Sequence, residues 1–157
     1  MFYTIQELVE QAEQKHNGNV SQLMIETEIE LTGRTKDEIL TIMSKNLEVL
    51  KSSVVNGLTS DKSISGLTGG DALKMDNYIK NGKTLSDTTI LTAVRNAMSV
   101  NELNAKMGLI CATPTAGSAG CLPAILSTAI DKLVLNEQEQ LDFLFTAGAF
   151  GLVIGNN

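Results

Sequence analysis

The sequence predicts an all-α fold, and three observations carry that prediction. Apolar residues recur at helical spacing in one segment after another. Cap residues and glycine stops punctuate those segments, and nowhere do apolar and polar residues alternate for long enough to make a strand. The palette agrees: 43% of the 157 residues are hydrophobic, yet aromatics make up only 4% and tryptophan is absent. A core must then be built from Leu, Ile, Val, Met and Ala packed closely between helices. The length suits a single compact helical domain of about seven helices. A formal charge of −6 with no Lys/Arg cluster argues against a nucleic-acid partner or an anionic membrane surface. The opening residues lack the basic and apolar regions of a secretory signal, and no run of about 18 uninterrupted apolar residues exists to span a bilayer. The two cysteines read as reduced thiols, which places the protein in the cytoplasm.

The elements follow in chain order. Thr4 with Glu7 is a capping-box pattern, and Ile5, Leu8, Val9 and Ala12 behind it share one helical face. His16-Asn17-Gly18-Asn19 ends that helix, and His16, the only histidine, reads as a C-terminal turn residue. A second helix runs from about Val20 to Leu31, burying Leu23, Met24 and Ile29, and stops at Gly33. Thr35 with Glu38 repeats the capping box ahead of a long helix marked by Ile39, Ile42, Met43, Leu47, Leu50 and Val54, which ends at Asn56-Gly57.

A loop of small residues comes next, Ser63-Ile64-Ser65-Gly66-Leu67-Thr68-Gly69-Gly70-Asp71-Ala72. Gly69-Gly70 before Asp71 and a helical pattern (Ala72, Met75, Tyr78, Ile79) looks like a backbone nest at a helix start, a place where N–H groups converge on an anion. A plain N-cap loop explains the same residues. Neither the dinucleotide fingerprint nor the Walker spacing fits. Asn81-Gly82 closes this helix, and Ser86-Asp87 opens another with Ile90, Leu91, Val94, Ala97 and Met98 on its face, running towards Met107.

The second small-residue loop is Cys111-Ala112-Thr113-Pro114-Thr115-Ala116-Gly117-Ser118-Ala119-Gly120. Gly117, Ala119 and Gly120 allow close backbone approach, while Thr113, Thr115 and Ser118 bring hydroxyls. Pro123 fits the first turn of a helix, so the N–H groups of Gly120 to Leu122 would face a positive helix end. A carboxylate or phosphate would be held well there, and a tight inter-helix loop is the competing reading. Ile125, Leu126, Ala129, Ile130 and Leu133 then mark a short buried helix. Asn136 with Glu139 caps a last one, whose residues from Leu141 to Ile154 are apolar almost all round. Such a helix needs cover on every side, so the chain reads as half of something larger, and an exposed face would favour a homo-oligomer.

Ser65 to Ala72, Asn104-Ala105-Lys106-Met107-Gly108, Cys111 to Gly120, Phe145-Thr146-Ala147-Gly148-Ala149-Phe150-Gly151 and Asn156-Asn157 together resemble the iron–sulfur-dependent L-serine dehydratase (L-serine ammonia-lyase) α chain, in order and spacing from end to end. The resemblance implies a lyase of amino-acid degradation and gluconeogenesis that converts L-serine to pyruvate and ammonia. It also implies a β chain or domain as partner, a missing C-terminal half of the α chain, and a [4Fe–4S] cluster in the complete enzyme. The family's cluster cysteines follow the Asn-Asn pair, so no cluster is expected on this chain and the isolated polypeptide is expected to be inactive. Cys111 and Cys121, ten residues apart, match no usual ligand spacing and read as inert thiols.

The expected substrate site is then Ser65, Gly66, Gly69 and Gly70 with Thr113, Thr115, Ala116, Gly117, Ser118 and Gly120, holding the serine carboxylate and amine. Asp71 is placed to meet the ammonium or to serve as an N-terminal helix charge, and Asn156 and Asn157 to line the cluster cavity. The catalytic base is not identified. Two other readings compete: a non-catalytic small-anion-binding or assembly module, and an enzyme acting on a phosphate ester. The second is disfavoured because neither loop carries Lys or Arg.

Overall fold

The computed structural model describes residues 2–155, and among these it forms seven helices: α1 (Ile5–His16), α2 (Val20–Thr32), α3 (Lys36–Asn56), α4 (Asp71–Lys80), α5 (Thr88–Ala105), α6 (Cys121–Leu133) and α7 (Glu137–Gly155). No strand occurs among the described residues. The all-α class and the seven helices are those the sequence predicts. Asn156 and Asn157 lie outside the described residues.

Local chemistry sets the helix ends. Thr4 Oγ1 accepts from the Glu7 N–H at 3.1 Å, and the Glu7 carboxylate accepts from the Thr4 N–H at 3.3 Å, completing the capping box. Thr35 with Glu38 makes the same exchange at 3.3 and 2.8 Å, and Asn136 with Glu139 at 3.1 and 2.7 Å. Asn19, by sequence the last residue of a turn, caps α2 by accepting from the Gln22 N–H at 3.0 Å. Gly33 ends α2 in the left-handed region at φ 68°, where a side chain would be strained. His16 closes α1 and meets the Glu26 carboxylate at 2.9 Å, a structural contact in keeping with its turn reading. α6 begins at Cys121, earlier than its apolar pattern suggests, so that Pro123 is its third residue, where the missing N–H is harmless.

The chain divides into two compact units. One comprises the chain up to Leu47 together with the stretch from Asn136 onward. In it α1, α2 and α7 pack together, with Phe2, Leu8, Ala12, Leu23, Ile25, Phe145 and Ala149 among the buried core residues. From Leu141 onward α7 is apolar all round because Leu141, Leu144, Phe145, Ala149 and Val153 are buried while three of its four exposed positions are glycines, Gly148, Gly151 and Gly155, beside exposed Ile154. Ser21 donates to Asp142 at 2.6 Å, tying α2 to α7. A hollow of about 360 Å³ in this unit is lined by Met24, Ile39, Met43, Phe145 and Leu152, with Glu28 and Arg34. None of the predicted site residues lines it. No helix among the described residues is long and apolar enough to cross a membrane.

The second unit, Glu48–Leu135, holds the end of α3 and all of α4, α5 and α6. α5 is its centre, packing on both α4 and α6. Both small-residue loops belong to this unit.

Candidate functional site

α5 supports the two loops with successive residues of its last turns. Ser99 donates to the Val54 carbonyl at 2.5 Å, and a Cβ at Gly57 would fall 1.9 Å from the Ser99 carbonyl oxygen, so the chain leaves α3 pressed against α5. Lys106 Nζ then donates to Thr59 Oγ1 at 2.8 Å. Glu102, buried, receives three N–H groups from the start of α4: Gly70 at 2.8 Å, Asp71 at 2.7 Å and Ala72 at 3.0 Å. Two residues on, Asn104 donates to the Ala116 carbonyl of the second loop at 3.2 Å. Gly120 closes that loop against α5 as well, where a Cβ would lie 2.7 Å from the Ala97 carbonyl oxygen and 3.1 Å from Asn101 Oδ1. Loops far apart in sequence therefore share one helical support.

The first loop is a folded hairpin-like turn. The Ser63 N–H donates to the Thr68 carbonyl at 2.8 Å, the Thr68 N–H donates to Ser63 Oγ at 3.3 Å, and Lys62 Nζ donates to the Gly69 carbonyl at 2.5 Å. Gly69 has φ +122°, and a Cβ there would stand 2.2 Å from the Asp61 carbonyl oxygen, so glycine is required twice over. Gly70 follows at φ +86° and provides no side-chain cap. Ser65, Gly66 and Asp71 are exposed. The nest expected here does exist and does bind a carboxylate, but that carboxylate is Glu102 of the same chain. Gly70 and Asp71 thus have their N–H groups committed. Asp71 also accepts from Lys74 Nζ at 2.7 Å, and that ammonium holds its carboxyl below the ordinary carboxylate range, so it stays ionised as an N-terminal helix charge.

Ser118 is the hub of the second loop. Its hydroxyl lies 2.9 Å from Thr115 Oγ1, accepts from the Thr115 N–H at 3.3 Å and faces the Thr113 carbonyl at 3.0 Å, while its own N–H donates to Thr115 Oγ1 at 3.3 Å. Thr115, Ala116 and Gly117 are exposed, and Thr113 and Ser118 are half-buried. Gly117 is open: a Cβ added there would meet only Thr115 Oγ1, at 3.8 Å. Thr113 Oγ1 is buried without a hydrogen-bond partner, a cost on the order of 1–3 kcal/mol that an arriving polar group would relieve. The Cys121 N–H, which the sequence offered to an anion, donates instead to the Ser118 carbonyl at 3.1 Å. Of the two readings of Gly120, close packing is the one its geometry supports.

A [4Fe–4S] cluster does not fit the donors of this chain. It needs several converging thiolates, whereas the chain has two cysteines, Cys111 half-buried and Cys121 exposed. Burial pushes the Cys111 thiol up, away from the thiolate that a metal requires. Among the described residues no three His, Cys, Asp or Glu side chains gather where they would hold a metal.

Sequence reasoning missed Glu102. It sits inside a helix with no turn or cap signal beside it, and only contact with residues about thirty positions earlier gives it a role.

Comparison with known proteins adds the family. The serine dehydratase alpha chain family matches residues 15–157. The chain is 48% identical along its whole length to a probable L-serine dehydratase, alpha chain, of Bacillus subtilis, of which it covers 52%. It is 32% identical over 133 residues to the L-serine dehydratase, alpha chain, of Peptoniphilus asaccharolyticus, which is 84% of this chain and 46% of that one. A probable L-serine dehydratase, alpha chain, of Latilactobacillus sakei shares 57% identity over 68 residues, 43% of this chain and 32% of the relative. The chain thus spans about half the length of the first and second of these, and less of the third. No solved structure matches it. By the extent of the family match and the identity to these relatives, the chain belongs to the serine dehydratase alpha chain family.

Proposed function

We propose that this chain supplies the substrate-binding loops of a lyase that deaminates L-serine to pyruvate and ammonia. The observation that supports the reading is that the two family-like loops are both anchored on the end of α5 and its C-cap Lys106, which favours reading the two together. Serine offers a carboxylate, an ammonium and a hydroxyl. The hydroxyls of Thr115 and Ser118, the unpartnered Thr113 Oγ1 and the backbone at Ala116 and Gly117 meet the carboxylate and hydroxyl. Ser65 and Gly66 close the site from the first loop, Gly69, Gly70 and Gly120 shape it, and ionised Asp71 favours the ammonium nearby.

The relatives named alpha chains imply a β chain as partner, and their greater length implies further α-chain sequence. A [4Fe–4S] cluster belongs to this reading only as a group held by residues other than those described here, and no step of the reaction is derived through it. The isolated chain is accordingly inactive, and the complete enzyme works in the cytoplasm. The test is Ser118→Ala and Thr115→Ala in the assembled enzyme that contains this chain. A raised KM for L-serine is expected; KM and kcat both equal to the parent values would sink the assignment.

A further inference from the structure

Five helices of this chain start on their own side-chain caps: Thr4, Asn19, Thr35, Asp87 and Asn136 each accept from an N–H in the first turn that follows. The two that do not are α4 and α6, whose N-cap residues are Gly70 and Gly120 and make no side-chain cap. These are the helices that follow the two loops. At α4 the missing local cap is replaced from a distance by Glu102, which takes the N–H groups of Gly70, Asp71 and Ala72 at 2.7–3.0 Å. A local cap fixes a helix start wherever the helix goes. A cap from α5 fixes it in space relative to α5, and α5 is also where Asn104 holds Ala116 of the second loop.

We propose that Glu102 is the positioning residue of the serine site, its buried carboxylate setting the separation of the two loops by pinning the start of α4 to α5. This rests on the serine reading above. Glu102 itself touches no substrate, because its two oxygens are turned into the α4 amides. Loss of the tether lets the first loop drift, and a misplacement of about 1 Å costs on the order of 100-fold when reacting groups are involved. A binding loop should show a smaller effect of the same origin, about tenfold in KM.

The experiment compares Glu102→Ala and Glu102→Gln with parent in the assembled enzyme, with and without added formate, measuring serine KM and kcat, melting temperature, and amide hydrogen exchange by mass spectrometry. Formate can refill the α4 amides but is not tied to α5. The expected result is a KM raised about tenfold in Glu102→Ala, still raised in formate even where the melting temperature recovers. Exchange should be faster in 65–72, while 113–118, held to α5 by Asn104, keeps the parent rate. Glu102→Gln, which keeps the tether through one acceptor, should fall between. A KM that stays at the parent value, a KM that returns with formate, or exchange in 65–72 that stays at the parent rate would each overturn the proposal. If Glu102→Ala does not assemble, Glu102→Gln and Glu102→Asp are read by the same criteria. Ser118→Ala is measured alongside: if it leaves KM unchanged, the serine reading fails, while exchange in 65–72 still judges the tether through Glu102.

Discussion

Adding one methyl group at Gly120 probes a close backbone approach between the second loop and α5. Its φ of −78° suits any residue, so an alanine there carries no backbone strain and the effect is steric alone. The new Cβ would lie 2.7 Å from the Ala97 carbonyl oxygen, about 0.7 Å inside the 3.4 Å at which ordinary contact begins, with Asn101 Oδ1 at 3.1 Å on the other side. The Asn101 side chain can swing away. The Ala97 oxygen belongs to the backbone of α5 and cannot, so α6 must back off or α5 must bend. Forcing one extra carbon into a packed contact costs about 1–3 kcal/mol, and a chain of this size loses roughly 2–4 °C of Tm per kcal/mol. Gly120→Ala should therefore melt about 6 °C below the parent by calorimetry. Gly117→Ala is the internal control, because its nearest neighbour, Thr115 Oγ1 at 3.8 Å, is in ordinary contact; it should melt within about 2 °C of the parent. Equal melting temperatures for Gly120→Ala and parent would refute the claim that α6 and α5 are held at backbone contact.

Further outcomes follow from other parts of the chain. Asp76, buried, accepts from Lys80 at 2.6 Å and Arg95 at 2.8 Å, and the Lys80 hydrogen bond holds its carboxyl below the ordinary value of 3.8 against the opposing pull of burial. A depressed carboxyl contributes stability that is complete above that ordinary value and is lost as pH falls through the lower folded value. Urea unfolding between pH 7 and pH 2 should show that loss, and Asp76→Asn should both flatten it and cost about 1–3 kcal/mol at pH 7 by leaving Arg95 short of an acceptor; a pH profile unchanged by the substitution would contradict the assignment. Asn136→Ala removes the cap of α7 and should lower stability by about 1 kcal/mol in the same assay. Gly148→Ala and Gly151→Ala in α7 meet nothing within 4 Å and should each raise the stability of this chain by about 0.5–1 kcal/mol through helix propensity. With a thiol-specific reagent at pH 8, exposed Cys121 should be modified ahead of Cys111, whose thiol burial pushes up; mass spectrometry of the peptides reads the order.

The helices were legible in the sequence because their determinants are local. A capping box such as Thr4–Glu7 spans four residues, and an apolar stripe such as Leu8 and Ala12 spans a turn, so neither needs a tertiary partner to be seen. Family membership was legible for a similar reason: the small residues of 65–72 and 111–120 stand in a fixed order that needs no coordinates. The glycine nest at Gly69-Gly70 was also readable as a binder of carboxylate. What only the tertiary structure decided is which carboxylate. Glu102 lies about thirty residues away on another helix, and nothing in its neighbourhood along the chain distinguishes it from a solvent-facing glutamate. Likewise the sequence left Gly120 between ligand approach and close packing, and the Ala97 carbonyl at 2.7 Å from a would-be Cβ resolves it. Helix starts and stops are written in neighbouring residues. The destination of a free N–H group depends on what the fold brings within 3 Å of it, and that information resides in the packing of α4 and α6 on α5.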